Sequence, residues 1–427
     1  MIIVYKIITT ILYPFLFLFL FLRKIKKKED PKRFKEKILF SHFNIKSKGK
    51  SKLIWFHAAS IGEYKSIIPI IRELNIKKNN LKFLITTTTL SSGNLVSKEI
   101  ENFNNVEHRY FPFDVPFLIK KFLHLWKPDN IFLVDSEIWP NLILNAKKLN
   151  IPLALINARL TSKSFNKWMI FPNEAKKIFR NFDLFICSNL RTKNYLEKLK
   201  LNNIYFKGNI KLINQIDKEK IADINESFCK NNKFWFAASI HQEEDIFCLK
   251  THLEIKKKLR NIITIIAPRH IDRSENIYSL AKKLNLNAQI LNKDEAISKD
   301  VEVVIINYFG ALQNYFKHSK SVFIGKSILK KFKNNGGQNP IEAAKLNCKI
   351  YHGPYVFNFD DIYAIFAKNN ISQKVEDHHE LAKNLTLDIT KSNEKNLEIS
   401  NSIKNLEQKT LNDTMTLVND FILHGNK

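Results

Sequence analysis

Cysteine and acid are scarce in this chain of 427 residues. Its four cysteines, Cys187, Cys229, Cys248 and Cys348, stand far apart with no Cys-x-x-Cys pair. That spacing gives no support to a zinc site or a disulfide framework, and reduced thiols in a cytosolic compartment are the simpler expectation. Asp and Glu number 41 against 69 Lys and Arg, leaving a net charge of +28. Such an excess points to a polyanionic partner: nucleic acid, an anionic membrane surface or a phosphorylated substrate. Lys, Asn, Ile and Phe are all abundant, as an AT-rich genome would make them, so charge by itself selects no partner. The chain has no short repeat and no Gly/Ser-rich linker. Its 44% of hydrophobic residues excludes wholesale disorder. Its length exceeds one ordinary core, which leads to an expectation of two domains.

A small-residue cleavage site is also missing where a secretory signal would need one. Ile2 to Leu22 is almost wholly apolar and includes an unbroken Phe-Leu alternation from Phe15 to Leu22. About 20 apolar residues cross a hydrocarbon layer as a helix, and this stretch just reaches that. Arg23-Lys24-Ile25-Lys26-Lys27-Lys28 follows, and such cations hold the rest of a chain on the cytoplasmic side. The expectation is an uncleaved, single-pass amino-terminal anchor; an interfacial helix is the alternative, because Lys6 weakens the span.

Beyond the basic segment, short β-branched and aromatic runs alternate with helical patterns. Strands are expected at Leu53–His57, Phe83–Thr87, Ile131–Asp135 and Pro152–Ile156. They resume at Phe234–Ala238, Ile262–Ala267, Val303–Ile306, Ser321–Ile324 and Lys349–His352. Tyr64–Leu74 and Pro140–Leu149 have helical periodicity. Apolar runs of this kind imply parallel sheets covered on both faces. The pattern occurs twice, which is the signature of two Rossmann-like α/β domains. Ligands in such folds sit beyond the carboxyl ends of the strands, so the residues just after each run carry the interest.

After the first run comes His57-Ala58-Ala59-Ser60-Ile61-Gly62-Glu63. Glu63 is a candidate general base, although spacing alone favours a carboxylate that merely compensates a helix amino terminus. Val134-Asp135-Ser136-Glu137-Ile138-Trp139-Pro140-Asn141 places two acids at another strand end, suited to bind a sugar or stabilise developing positive charge, although Asp and Ser also serve as caps. Lys207-Gly208-Asn209-Ile210-Lys211 and Ala267-Pro268-Arg269-His270 supply a lysine and an arginine suited to a phosphate, or to solvent. Gly336-Gly337-Gln338-Asn339-Pro340-Ile341-Glu342 reads as a turn into a capped helix whose amino terminus can receive an anion. Glu342, in its first turn, is placed to accept both hydroxyls of a ribose.

In that order, together with Asn157-Ala158-Arg159-Leu160 and Gly353-Pro354, these motifs resemble the family that transfers 3-deoxy-D-manno-octulosonate (Kdo) to lipid A precursors. The likeness covers nearly the whole chain. It implies an α/β GT-B fold, two Rossmann-like domains facing across a cleft: anchor 1–22, basic linker 23–50, acceptor domain 51–210 and CMP-sugar domain 211–427. It implies Glu63 as proton acceptor, Asp135 as the acid that stabilises the transition state, and Lys211 as a basic partner. Pro268, Arg269, Phe309, Gly310, Ala311, Asn339, Pro340, Ile341 and Glu342 match positions that hold CMP. There are departures. Asp135 stands where the family usually has Glu, Phe309-Gly310-Ala311 where it has Met-Gly-Glu, and Gly325-Lys326-Ser327 where it has Gly-Gly-Ser.

The expected reaction is an inverting transfer of Kdo from CMP-Kdo to a lipid A precursor (lipid IVA) in lipopolysaccharide synthesis at the cell inner membrane. It would use no metal and no cofactor, and the expected partners are donor, acceptor and an anionic lipid surface, with no nucleic acid. Another GT-B enzyme with a different sugar nucleotide is the nearest alternative; a non-catalytic basic membrane protein is a second.

Overall fold

The computed structural model describes the chain except for residues 44–50, 78–79, 217–218, 220, 222, 392–396 and 425–427. It folds as two compact units, Met1–Gln215 with Glu407–Lys427, and Ile216–Leu406. Against an expected boundary after residue 210, residues 211–215 and those from 407 onward go with the first unit.

The first unit has one parallel sheet of seven strands: β1 Lys52–His57, β2 Leu81–Thr87, β3 Val106–Tyr110, β4 Asn130–Val134, β5 Leu153–Ala158, β6 Leu184–Cys187 and β7 Ile204–Phe206. Their order is β3-β2-β1-β4-β5-β6-β7. Side chains alternate between the two faces of a strand, and here the alternation sorts the apolar residues into two cores. Trp55, Leu84, Leu133 and Leu155 join one buried cluster, while Ile54, Phe56, Ile85, Phe132 and Ile156 join the other. Phe56 and Phe132 stack with ring centroids 4.7 Å apart, next to each other in register.

Each chain terminus covers one of these faces. Met415, Val418, Phe421 and Ile422 of the final helix, Leu397–His424, complete the second cluster. Leu20, Phe34, Ile38 and Phe43 belong to the first. The stretch expected as a basic linker is therefore packed structure over its described part, with short 3-10 turns at Phe34–Lys37 and Phe40–His42; its end, 44–50, lies outside the described residues.

The expected amino-terminal span is present as two helices, Ile2–Ile11 and Tyr13–Ile25, bent by 59°. No single helix among the described residues is long and apolar enough to cross a membrane. The break has a local cause: Pro14 has no N–H to give to Thr10, and the Thr9 and Thr10 hydroxyls already bond back to the carbonyls of Tyr5 and Lys6. One side of the pair is keyed into the unit. Tyr5 donates to Asp114 (3.0 Å) and Tyr13 to the Ile38 carbonyl (3.1 Å), and Leu20 is buried. The other side exposes Ile3, Ile7, Ile11, Phe15, Leu18 and Leu22.

The second unit repeats the plan with β8 Phe234–Ile240, β9 Ile263–Pro268, β10 Ala288–Leu291, β11 Val303–Ile306, β12 Ser321–Ile324, β13 Lys349–His352 and β14 Ser372–Lys374. Their order is β10-β11-β9-β8-β12-β13-β14, again all parallel. Trp235, Ile266, Ile305, Phe323 and Tyr351 face one core, shared with Leu249 and Ile255 of helix Glu244–Lys256 and with Leu381 and Leu385 of helix His378–Thr390.

Glu29 fixes the segment after the apolar helices. It is 4% exposed and pairs with Arg23 (2.6 Å) and with Lys37, itself 4% exposed and also bonded to the Thr88 carbonyl. Burial lowers the pKa of Lys37, against the pull of Glu29. Removing the carboxylate strands a buried ammonium, so Glu29→Ala should lower unfolding free energy by about 3 kcal/mol. The double variant Glu29→Met/Lys37→Met should recover more than half of that loss in denaturant titrations.

Candidate functional site

In the first unit the polar residues gather where β1, β4 and β5 end. Helix Ile61–Lys77 starts with a reciprocal cap: the Ser60 hydroxyl donates to Glu63 Oε1 (2.8 Å) and the Glu63 N–H points back at Ser60 Oγ (3.4 Å). Glu63 Oε2 receives the Ala59 N–H at 2.8 Å. Glu63 thus has the capping role that its position allowed, and its electrostatics go further. Burial pushes its pKa above the ordinary carboxylate value; the Ser60 hydrogen bond opposes this, and the negative charges of Glu137 and Asp135 add to it. A carboxylate so placed holds a proton more readily than a solvated one does.

Asp135 follows β4 with a left-handed backbone, φ +61°. Asp is among the few side chains that tolerate that region, at a cost of roughly 1 kcal/mol. Its N–H donates to the Ile156 carbonyl (3.0 Å) and its own carbonyl accepts from the Arg159 N–H (3.1 Å), which lock it against the end of β5. The carboxylate takes the Lys211 ammonium at 2.8 Å and the Ser136 hydroxyl at 3.2 Å. Lys211 sits in the 3-10 turn Ile210–Ile213, which Asn157 ties to β5 by accepting the Ile210 N–H (3.2 Å). Lys211 is therefore an ion-pair partner of Asp135, not a solvated lysine.

A second carboxylate, Glu137, is the other acid of the segment expected to bind a sugar or stabilise developing positive charge. It accepts from His57 Nε2 (3.0 Å) and Trp139 Nε1 (2.8 Å). Burial raises its pKa, but the hydrogen bonds from His57 and Trp139 outweigh that and leave it low. The His57 ring lies against Phe111 (4.0 Å) and meets the Thr86 hydroxyl through Nδ1 (2.9 Å). No spacing rule finds a pair that is 80 residues apart. The two neighbouring acids, Glu63 and Glu137, thus have pKa values displaced in opposite directions, the pattern that separates a proton acceptor from a fixed charge.

The second unit places its expected residues at three strand exits. Pro268 ends β9, and the Arg269 N–H donates to the Ile240 carbonyl (2.9 Å) while its side chain faces solvent. Phe309-Gly310-Ala311 follows β11, with Phe309 75% exposed and Ala311 buried at the start of helix Leu312–His318. Gln313 of that helix donates to Glu342 (3.3 Å), which joins this segment to Asn339–Glu342. The helix after Asn339 is only Ile341–Lys345, and the Asn339 side chain itself accepts the Ile341 N–H (3.1 Å). The Asn339 side chain thus takes one amide of this helix terminus, and the N-cap position falls on Pro340, which was expected as the first helical residue. Gly336 fits because any Cβ there would lie 2.1 Å from the Tyr355 carbonyl oxygen. Among the described residues, Glu254, His378 and His379 have ligand atoms within 4.8 Å of one another, on helices apart from these strand exits.

A family model described as 3-deoxy-D-manno-octulosonic-acid transferase matches residues 32–214. A transferase of that name from Rickettsia bellii is 29% identical over 426 residues, 98% of this chain and 99% of its own. One from Haemophilus influenzae is 29% identical over 323 residues, 74% of each chain. The chain is similar to Kdo transferases over nearly its whole length. A glycosyltransferase structure from Rickettsia africae superposes on 88% of this chain and 99% of its own, with a TM-score of 0.59 at 14% identity. That likeness agrees with the expected GT-B class of two Rossmann-like units.

The Asp135–Lys211 pair is open to a double-mutant cycle. Asp135→Asn, Lys211→Met and the double variant should give a coupling of about 1–3 kcal/mol in unfolding free energy, because both groups are largely buried. A coupling near zero would mean that solvent screens the pair.

Proposed function

We propose that the chain transfers Kdo from CMP-Kdo to a hydroxyl of a lipid A precursor, with inversion at the anomeric carbon, in lipopolysaccharide synthesis. The observation that carries this reading is Glu63: a carboxylate at a strand exit, its pKa raised first by burial, on a chain similar to Kdo transferases. As the acceptor oxygen forms its bond to the anomeric carbon, Glu63 takes the hydroxyl proton. The bond from that carbon to the phosphate oxygen breaks, and its electron pair leaves with CMP. Asp135 stabilises the positive character of the anomeric carbon, and Lys211 holds the Asp135 carboxylate in place through their ion pair. Arg269 and the segments Phe309–Ala311 and Asn339–Glu342 hold the CMP. In this scheme the cations of the chain offset the charge on the departing phosphate, with no divalent metal.

Mass spectrometry of products formed from CMP-Kdo and lipid IVA tests the reading. Wild type should yield the Kdo adduct in the presence of EDTA. Glu63→Gln should lower turnover by roughly 10²–10⁴-fold, the usual worth of a general base. The sign of the pH effect follows from the raised pKa. Glu63 is active when ionised, so the rate should fall as pH drops through a value above the ordinary carboxylate range. Folding responds in the opposite sense, since the native state binds this proton more tightly than the unfolded chain does. The ionised group therefore costs stability near neutral pH, and Glu63→Gln should unfold no earlier than wild type there. Turnover that survives in this variant would remove the base.

The same proposal puts the chain at the inner membrane with both units on the cytoplasmic side. Support comes from the exposed apolar side of the bent helix pair and from the cations that follow it. Exchange of Ile7, Phe15 and Leu18 for serine touches only exposed positions and should move the protein from the membrane pellet to the supernatant. Carbonate-resistant retention of that variant would speak for a full span through other residues.

A further inference from the structure

Four backbone N–H groups of the second unit end on one carboxylate. Glu244 is fully buried and accepts from His241 (3.0 Å), Lys326 (2.6 Å), Ser327 (2.8 Å) and Ile328 (3.2 Å). A Cβ at Gly325 would stand 2.9 Å from Glu244 Oε2 and 2.6 Å from the Ser239 carbonyl oxygen, so no side chain fits at the exit of β12. The carboxylate pins the turn after β8 to the turn after β12. It also occupies the amides of that turn, which elsewhere would serve as a phosphate cradle. Any charge the turn offers to a ligand must therefore come from a side chain.

That side chain is Lys326. Its backbone is left-handed, φ +59°, a conformation that L residues other than Asn and Asp rarely adopt. It is held there from both sides, by its N–H on Glu244 and by its carbonyl, which accepts the Gly337 N–H at 2.7 Å. Around it stand His241, one residue past the Ile240 carbonyl that takes the Arg269 N–H, and His270, whose ring centre is 5.9 Å from that of His241. Burial first, then the charges of Lys326, His270 and Arg269, push the His241 pKa down to about 4. Arg273 nearby is neutralised by Asp245, and Lys331 by Glu243. Among the described residues, the side chains of Lys326 and Arg269 have no acidic partner.

We propose that Lys326 and Arg269 form an oxyanion subsite that binds the phosphoryl group of the nucleotide donor. It combines a flat guanidinium fork with a point charge fixed by Glu244. The proposal rests on the reading that the donor is a cytidine monophosphate sugar, and it assigns a binding role to a residue that is specific to this chain's version of the turn.

Calorimetric titration of the full-length protein with CMP and with cytidine tests it. Lys326→Gly relaxes the left-handed backbone, so its unfolding midpoint should not fall below that of wild type. Its CMP dissociation constant should rise about tenfold or more, the scale of one charge-assisted hydrogen bond, with cytidine binding unchanged. Lys326→Arg keeps the charge and should stay within about threefold of wild type. The subsite is refuted if Lys326→Gly binds CMP as wild type does, or if it loses cytidine and CMP alike. Failure of wild type to bind CMP at all would instead overturn the donor reading, and the subsite with it.

Discussion

A parallel sheet with apolar side chains on both faces has to be covered twice, because successive residues of every strand point opposite ways. In the first unit this requirement determines where the ends of the chain go. Trp55 and Leu133 face a layer completed by Leu20, Phe34, Ile38 and Phe43, and Phe56 and Phe132 face one completed by Met415, Val418 and Phe421. Without the final helix, Phe132 would lose the edge contact with Phe421 at 5.1 Å, and a face built from six strands would lose part of its cover. The amino-terminal helices are under the same demand: one side is committed to Asp114, Ile38 and the core, and only the other is left exposed.

Burial on both faces leaves the strand exits as the places where polar groups can collect, and the sites follow from that. Asp135 keeps a left-handed backbone because hydrogen bonds to the main chain at Ile156 and Arg159 hold it, and its charge is stabilised by Lys211. Asp114, buried beneath the helix that begins at Pro140, caps it through the N–H groups of Asn141 and Leu142 (both 2.9 Å). Burial lifts the Asp114 pKa to about 6 in spite of those bonds. The same carboxylate receives Tyr5, so the helix that follows the Asp135–Trp139 segment and the amino-terminal helix share one anchor point.

How much of this the sequence carried depended on distance along the chain. Central strands were readable as continuous apolar runs, and Val303–Ile306, Ser321–Ile324 and Lys349–His352 have the boundaries expected of them. The strands without an expectation, β3, β6, β7, β10 and β14, are short; four of them are sheet edges and β6 lies next to one. Val106–Tyr110 carries Glu107, His108 and Arg109, and Ser372–Lys374 is polar throughout, so neither shows an apolar run. Among site residues, the Ser60–Glu63 cap follows from a local four-residue pattern. The His57–Glu137 and Lys211–Asp135 pairs join residues 80 and 76 positions apart and exist only once the strand order is known. Glu244 resembled any acid at the start of a helix, and Lys37 any lysine of a basic stretch. Both are buried for reasons that lie in other segments.

The two readings of Glu63, helix cap and proton acceptor, turn out to be compatible. An ionised carboxylate offers about four lone-pair directions, two on each oxygen. The Ser60 hydroxyl takes one on Oε1 and the Ala59 N–H one on Oε2, so each oxygen keeps one for a substrate hydroxyl. Those same two bonds fix the rotamer, which a general base needs if its oxygen is to meet a proton without reorganising. They also favour the charged form, and taken alone would make the group a weaker base. Burial and the neighbouring charges of Glu137 and Asp135 act against them and prevail. Glu137 escapes the same rise because His57 and Trp139 donate to it. Its negative charge therefore remains in place, where it raises the proton affinity of Glu63 and makes the capping residue the stronger base of the two.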